Sequence, residues 1–426
     1  MRARLLPLLA ALALAGCGRN PTPSAGSTAT VPTAGQGTQP APTNRCVVTL
    51  TPAAAEEIRT HQRADPTLKY LRVWVNANSS WKLDLDPATY ADDETCQSEG
   101  VTVVIARDSA AKLPARLRVD FVDDGELRGF KVTAERGANL IAAATLPEAR
   151  RGFETKLAVR EKADEPVAVP PAKVFEVVKY KAPAGDLAAY LTPGPKDGKR
   201  HPAIVWITGG DCNTIGDVWS PSPPANDQTA AAYRKAGVVM MFPSLRGGNQ
   251  NPGVREGFLG EVDDVLAATD FLREQPHVDP DRIYLGGHST GGTLALLVAA
   301  SSDKYRAVFS FGPVGSPAGY GGSFVYCDPN DAREMELRSP ERWVNTIKVP
   351  TFVMEGTVGG NLAALREMAK ASTNANVRYL PVKGANHFNV LAPVNNLIAA
   401  RVLKDTGERT NLAFTEAELA DLFRAK

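Results

Sequence analysis

The chain has 426 residues, enough for two or three domains with cores of their own. A formal net charge of +1 excludes a global field aimed at nucleic acid or an anionic surface. The hydrophobic fraction of 43% is that of a globular protein, and past the N-terminus no apolar run is long enough to span a bilayer.

The chain opens "MRARLLPLLAALALAGCGRN". Arg2 and Arg4 make a basic n-region, and Leu5 to Leu14 make an apolar h-region too short for a transmembrane helix. Residues 1–16 therefore read as an export signal. Its end, "LAGC", resembles the bacterial lipobox. The resemblance implies cleavage before Cys17, with lipids on its sulfur and its new amino group. Two or more acyl chains anchor stably where one does not. Residues 17–45 are rich in Pro, Thr, Ser, Gly and Ala and nearly free of large apolar side chains. They cannot bury enough surface to fold and should form a flexible tether. Together these features predict a cell-envelope protein held to a membrane through Cys17.

Four further cysteines are Cys46, Cys96, Cys212 and Cys327. An oxidising compartment invites disulfides, and the favoured pairing is one per domain, Cys46 with Cys96 and Cys212 with Cys327. Free buried thiols are the alternative. None stands in a CxxC pair, so no cysteine metal site is expected.

Residues 46–137 form the first globular segment. "TPAAAEEIRTH" predicts a helix with Thr51 as N-cap and Pro52 at the first helical position. Strand-like runs follow: "YLRVWV", "WKLDLD", "VTVVIA", "LRVDFV" and "GFKV", separated by polar turns. A small, β-rich α+β domain is predicted. The stretches "LTPAAAEEIR", "LRVWV", "LDLD", "GVTVVI" and "VDFVDDGELRGFKV" resemble the A-type iron–sulfur carriers (HesB/IscA) in the family's order. The resemblance implies their fold. It does not imply their chemistry, because "NANSS" and "TAERGAN" stand without cysteine where that family places its cluster thiolates. Residues 138–173 read as an irregular connector ending in "VAVPPAK".

From residue 174 to 426 strands alternate with helices, which predicts a mainly parallel sheet covered on both faces. The strands are "FEVVKY", "LAAYL", "AIVWI", "VVMMF", "RIYL", "AVFSF", "TFVM" and "VRYLP". "LGEVDDVLAATDFLREQ" sets Val262, Val265, Leu266, Thr269 and Leu272 on one helical face. "GGHSTGG" follows the strand "RIYL", and Gly287-His288-Ser289-Thr290-Gly291 fits G-x-S-x-G. In that motif the serine sits on a strained strand-to-helix turn, exposed above the sheet. A serine hydroxyl needs a base, and His387 is the one histidine after Ser289. It lies in "GANHF", past the last strand. His288, inside the elbow, reads as a residue that packs or hydrogen-bonds locally.

The acid that orients the base is harder to place. The usual aspartate position after "TFVM" holds Gly359. Glu355 at the strand end is favoured, with Asp328 in "YCDPND" as the alternative. The oxyanion hole needs two backbone amides. Thr290 should supply one, and Gly210 or Asp211 in "TGGDCN" the other. Arg246 in "FPSLRGGNQNPG" could bind a substrate carboxylate or pair internally with Glu256.

The stretches "IVWITGG", "FPSLRGGNQNPG", "GEVDDVLAA", "VDPDRIYLGGHSTGG" and "GANHF" resemble the α/β-hydrolase superfamily, nearest to prolyl oligopeptidase catalytic domains and dienelactone hydrolases. The resemblance spans residues 175–407. It implies a serine hydrolase acting on an ester or a peptide through an acyl-enzyme, without metal or organic cofactor. The segment ahead is too short for a propeller, so size selection by one is not expected. A catalytically inert binding protein on the same scaffold is the rival reading, and an iron–sulfur carrier a second. Nucleic acid is not an expected partner.

Overall fold

The computed structural model describes residues 46–75, 81–110, 117–123, 128–134 and 145–424. The export signal, the tether, Cys17, the stretch at 76–80 and residues 135–144 lie outside them. The chain divides into two compact units, Met1–Ala138 and Asn139–Lys426.

In the first unit the order is β1 (Val48–Leu50), α1 (Pro52–Ala64), β2 (Tyr70–Val75), β3 (Trp81–Asp86), β4 (Glu94–Ser98), β5 (Val101–Ile105), α2 (Arg107–Ala110), β6 (Leu117–Asp123) and β7 (Arg128–Ala134). One sheet runs β3-β2-β5-β4 and a second β1-β6-β7. Thr51 caps α1 by accepting from the amide of Ala54 at 3.2 Å. Val48, Leu50, Ala55, Ile58, Leu71, Val103 and Val119 fill the core between helix and sheets. Arg72 is buried and neutralised by Asp86 and Asp93, each at 2.7 Å. The five strand-like runs all lie in strands. β1 and β4 were not legible: β1 has three residues, and β4, "ETCQS", is mostly exposed. Cys46 and Cys96 form a disulfide.

The second unit continues with α3 (Leu146–Arg150), β8 (Glu176–Ala182), β9 (Gly185–Leu191), β10 (His201–Ile207), α4 (Ala231–Lys235), β11 (Val239–Pro243), α5 (Gly260–Arg273), β12 (Val278–His288) and α6 (Thr290–Ser301). It closes with β13 (Ala307–Phe311), α7 (Ala332–Leu337), β14 (Thr351–Val358), α8 (Leu362–Ala371), β15 (Val377–Asn386), α9 (Leu391–Lys404) and α10 (Glu416–Asp421). Eight strands form one sheet in the order β15-β14-β13-β12-β10-β11-β9-β8. The ladder is parallel from β15 to β11, and β9 and β8 pair antiparallel. This is an α/β-hydrolase fold.

Both faces of the sheet are buried, and the side-chain period of two assigns residues to them. Ala203, Val205 and Ile207 of β10 join the core beneath α5 and α6. Ile204 and Trp206 join the opposite core with Tyr284, Phe309, Phe352 and α9. That is why these strands read as unbroken apolar runs. α6 is buried almost from end to end, which explains a sequence without a charged residue. It approaches the sheet so closely that a Cβ on Gly291 would lie 2.3 Å from the carbonyl of Ile207.

The described part of the expected connector has little regular structure beyond α3, and it belongs to this unit. Leu146 and Ala149 of α3 enter its core. Arg150 clamps Asp263 of α5, and Thr155 and the Lys156 amide both donate to Glu334. Buried Arg338 completes that cluster by bonding Glu334 and, at 2.7 Å, Thr155. Leu157 bridges to Cys327, the Ala163 amide donates to Gly247 O at 2.7 Å, and the Arg255 amide to Glu161 O at 2.9 Å. The polar composition hid this strap because its anchors are hydrogen bonds to loops distant in sequence.

Candidate active site

The carboxyl ends of the parallel strands gather the candidate residues, as expected for a sheet of this type. Ser289 stands between β12 and α6 with φ 55° and ψ −115°. A non-glycine residue at positive φ is strained, and the parallel neighbours hold it there. The Ser289 amide donates to Phe311 O at 2.7 Å, and its carbonyl accepts from Thr293 N at 2.9 Å.

His387 follows β15, and its Nδ1 lies 3.0 Å from Glu355 Oε2. Glu355 is fully buried within β14, while the His387 side chain retains 14% exposure. The second carboxylate oxygen, Oε1, is buried with no hydrogen-bond partner among the described residues. The one hydrogen-bond partner of the Glu355 carboxylate among the described residues is thus the imidazole it faces. Two glycines make room. A Cβ on Gly312 would lie 2.3 Å from Oε2, and one on Gly360 would lie 2.5 Å from Oε1. Asp328 is elsewhere: it is exposed and accepts from the amide of Asn330 at 2.9 Å.

The loop after β10 meets the elbow directly. Thr290 Oγ1 donates to Gly210 O at 2.8 Å, and Gly210 adopts φ 77°. The Asp211 carboxylate accepts from Asn213 N at 3.1 Å, Thr214 Oγ1 at 2.7 Å and Arg255 at 2.5 Å. These bonds hold the loop that carries Gly210 and Asp211. Cys212 and Cys327 are not bridged, correcting the expected second disulfide; both are buried free thiols. Burial pushes both thiols up, so neither is a thiolate at neutral pH. Arg246 does not face substrate. It is enclosed, with two bonds to Asp264 at 2.9 Å and one to Glu256 at 2.6 Å. Its role is to tie the loop after β11 to α5.

Other residues near the site carried no sequence signal. The Tyr320 hydroxyl bonds Thr293 Oγ1 at 2.7 Å and faces Ser289. Burial holds that phenol well above its usual range, so it stays protonated. Its ring stacks on Phe258 at 6.1 Å. Gln228 reaches His288 at 2.9 Å. A single tyrosine or glutamine in a loop has no spacing partner, so nothing in the sequence marks either.

A strained serine on a strand-to-helix elbow, an imidazole held by a buried carboxylate, and a glycine-rich loop beside them are the arrangement used by serine hydrolases of the α/β type. The prolyl oligopeptidase family matches residues 224–388, the segment that carries Ser289, Glu355 and His387. The chain is 27% identical over 237 residues to dipeptidyl-peptidase 5 of Porphyromonas gingivalis, covering 50% of this chain and 34% of that protein. It is 28% identical over 197 residues to the uncharacterized peptidase YtmA of Bacillus subtilis, covering 42% of this chain and 69% of that protein. Among solved structures it is similar to the acylaminoacyl peptidase of Pyrococcus horikoshii, at 19% identity and a TM-score of 0.43, covering 58% of this chain and 44% of that one. The chain thus spans about a third of the length of the Porphyromonas peptidase.

Proposed function

We propose that the protein is a lipid-anchored serine hydrolase of the cell envelope that cleaves a peptide or ester bond through an acyl-enzyme. The observation that carries the catalytic reading is the hydrogen bond from His387 Nδ1 to buried Glu355, which leaves Nε2 as the base. Ser289 Oγ attacks the carbonyl carbon while His387 Nε2 takes its proton. Glu355 holds the imidazole in the required tautomer and stabilises its cation. The oxyanion is received by the amides of Thr290 and of Gly210 or Asp211. His387 then protonates the leaving amine or alcohol, which departs and leaves the acyl group on Ser289. Water enters by the same route in reverse and frees the acid. The names of the relatives favour a peptide over a simple ester. No step of this scheme needs a metal or an organic cofactor.

A fluorophosphonate probe tests the scheme. The folded parent should label, and Ser289→Ala should not. Glu355→Gln should slow labelling by on the order of 10³–10⁴-fold, the size seen when a triad acid loses its charge. A folded parent that does not label would return the scaffold to the binding-protein reading. Comparing a p-nitrophenyl ester with aminoacyl-p-nitroanilides separates esterase from peptidase.

The anchor rests on the lipobox at Cys17 and the tether after it, and no described helix is long and apolar enough to cross a membrane. In a bacterial host, Cys17→Ser should move the protein from the membrane to the soluble fraction. Unchanged membrane fractionation would remove the lipid from the proposal.

A further inference from the structure

We propose that His288 and Gln228 form a positioning relay, in which His288 donates from Nε2 to the backbone carbonyl of His387 and Gln228 fixes which nitrogen of His288 carries the proton. The proposal rests on Ser289 and His387 acting as nucleophile and base.

The hydrogen bonds determine the protonation pattern. His288 Nε2 lies 2.9 Å from His387 O, and a carbonyl only accepts, so Nε2 bears the hydrogen. In a neutral ring Nδ1 is then an acceptor. Gln228 Nε2 stands 2.9 Å from it and donates. The orientation of the Gln228 amide is fixed independently. Its Oε1 accepts from Gly209 N at 3.2 Å, and its Nε2 also donates to Asn226 Oδ1 at 2.7 Å. Gln228 and His288 thus join the chain after β10, the end of β12 and the chain after β15. The first carries the oxyanion loop, the second the elbow and the third the base.

The neighbourhood is built for a neutral ring. His288 is 1% exposed, and its ring centroid lies 4.5 Å from that of His387. Burial, then repulsion from His387, push His288 down to about 3, so it stays neutral while His387 cycles through its cation. A cation at that distance would oppose each protonation of the base. Close contact also fixes position. A Cβ on Gly209 would lie 2.7 Å from His288 Nδ1, so loop, ring and base loop pack without slack. Without the relay the His387 carbonyl loses this partner, and the loop is free to drift from near-attack geometry. A shift of about 1 Å costs about 100-fold in rate.

The test uses the parent, Ser289→Ala, His288→Met, His288→Gln and Gln228→Leu. The readouts are fluorophosphonate labelling rate, kcat and KM on a p-nitrophenyl ester, and thermal unfolding. His288→Met removes the donor at similar volume. It should lower labelling and kcat by about 10- to 100-fold, with KM within about 2-fold. His288→Gln places an amide donor near the same carbonyl and should recover to within about 3-fold of the parent. Gln228→Leu should fall by about 3- to 10-fold. Folded His288→Met at the parental rate overturns the relay, as does His288→Gln no faster than His288→Met. Should His288→Met not fold, Gln228→Leu decides, because that side chain is only half-buried: a parental rate overturns the relay. A labelled parent with equally labelled variants removes the relay alone. An unlabelled parent removes the hydrolase reading and the relay with it.

Discussion

Glu355 faces His387 from four residues before the position where an aspartate is expected. The expected site in the loop after β14 holds Gly359, and the carboxylate instead rises from within the strand. The extra methylene of glutamate supplies the reach, and Gly312 and Gly360 clear the volume the carboxylate fills. Both glycines have positive φ, 58° and 68°. Gly360→Ala should therefore cost twice: about 1–2 kcal/mol of backbone strain, and displacement of the acid from His387. We expect activity on a p-nitrophenyl ester to fall at least about 10-fold at unchanged KM, since a displaced acid acts on the chemical step. Gly359→Ala is the control. A Cβ there meets nothing within 4 Å although φ is 76°, so it carries the strain without the clash. Equal losses in the two variants would mean that strain, not the acid, sets the effect.

At the level of elements, the strap from α3 to residue 170 determines how the loops are held. Glu334 and Arg338 are almost fully buried, and Thr155 and the Lys156 amide complete their hydrogen bonding. Removing the strap would leave a buried ion pair short of partners, a penalty of about 1–3 kcal/mol for each group left unsatisfied. It would also expose the surface that Leu146 and Ala149 cover. A chain beginning at residue 139 should fold and label with fluorophosphonate. One beginning at 174 should be insoluble or unfold at a lower temperature. Equal melting of the two truncations would show that the strap is not structural. Arg246 shows the same rule: a loop arginine beside a catalytic rim is committed to Asp264 and Glu256 before any substrate arrives.

For the whole molecule, the division into two units makes disulfide chemistry local. Cys46–Cys96 closes a loop with a separation of 50 residues, and the unit after Ala138 holds only free thiols among its described residues. Loop-closure entropy assigns such a bridge about 4 kcal/mol. In calorimetry, a reductant should lower one unfolding transition and leave the one lost with Ser289 labelling unchanged. A reductant that shifts both equally would mean the units unfold together.

The sequence by itself determined the alternation of strands and helices, the elbow around Ser289, the single downstream histidine, and the cap on α1. Each is a local pattern: a side-chain period, a glycine spacing, or a capping residue. It could rank Glu355 above Asp328 but not choose, because the choice turns on which strand end faces His387. The expected Cys212–Cys327 bridge failed for the same reason, since pairing by domain carries no distance. The strap, the enclosure of Arg246, and the contacts of Tyr320, Gln228 and His288 were decided by tertiary structure alone. They join residues tens to more than a hundred positions apart, through single hydrogen bonds whose partners leave no periodic trace in the chain.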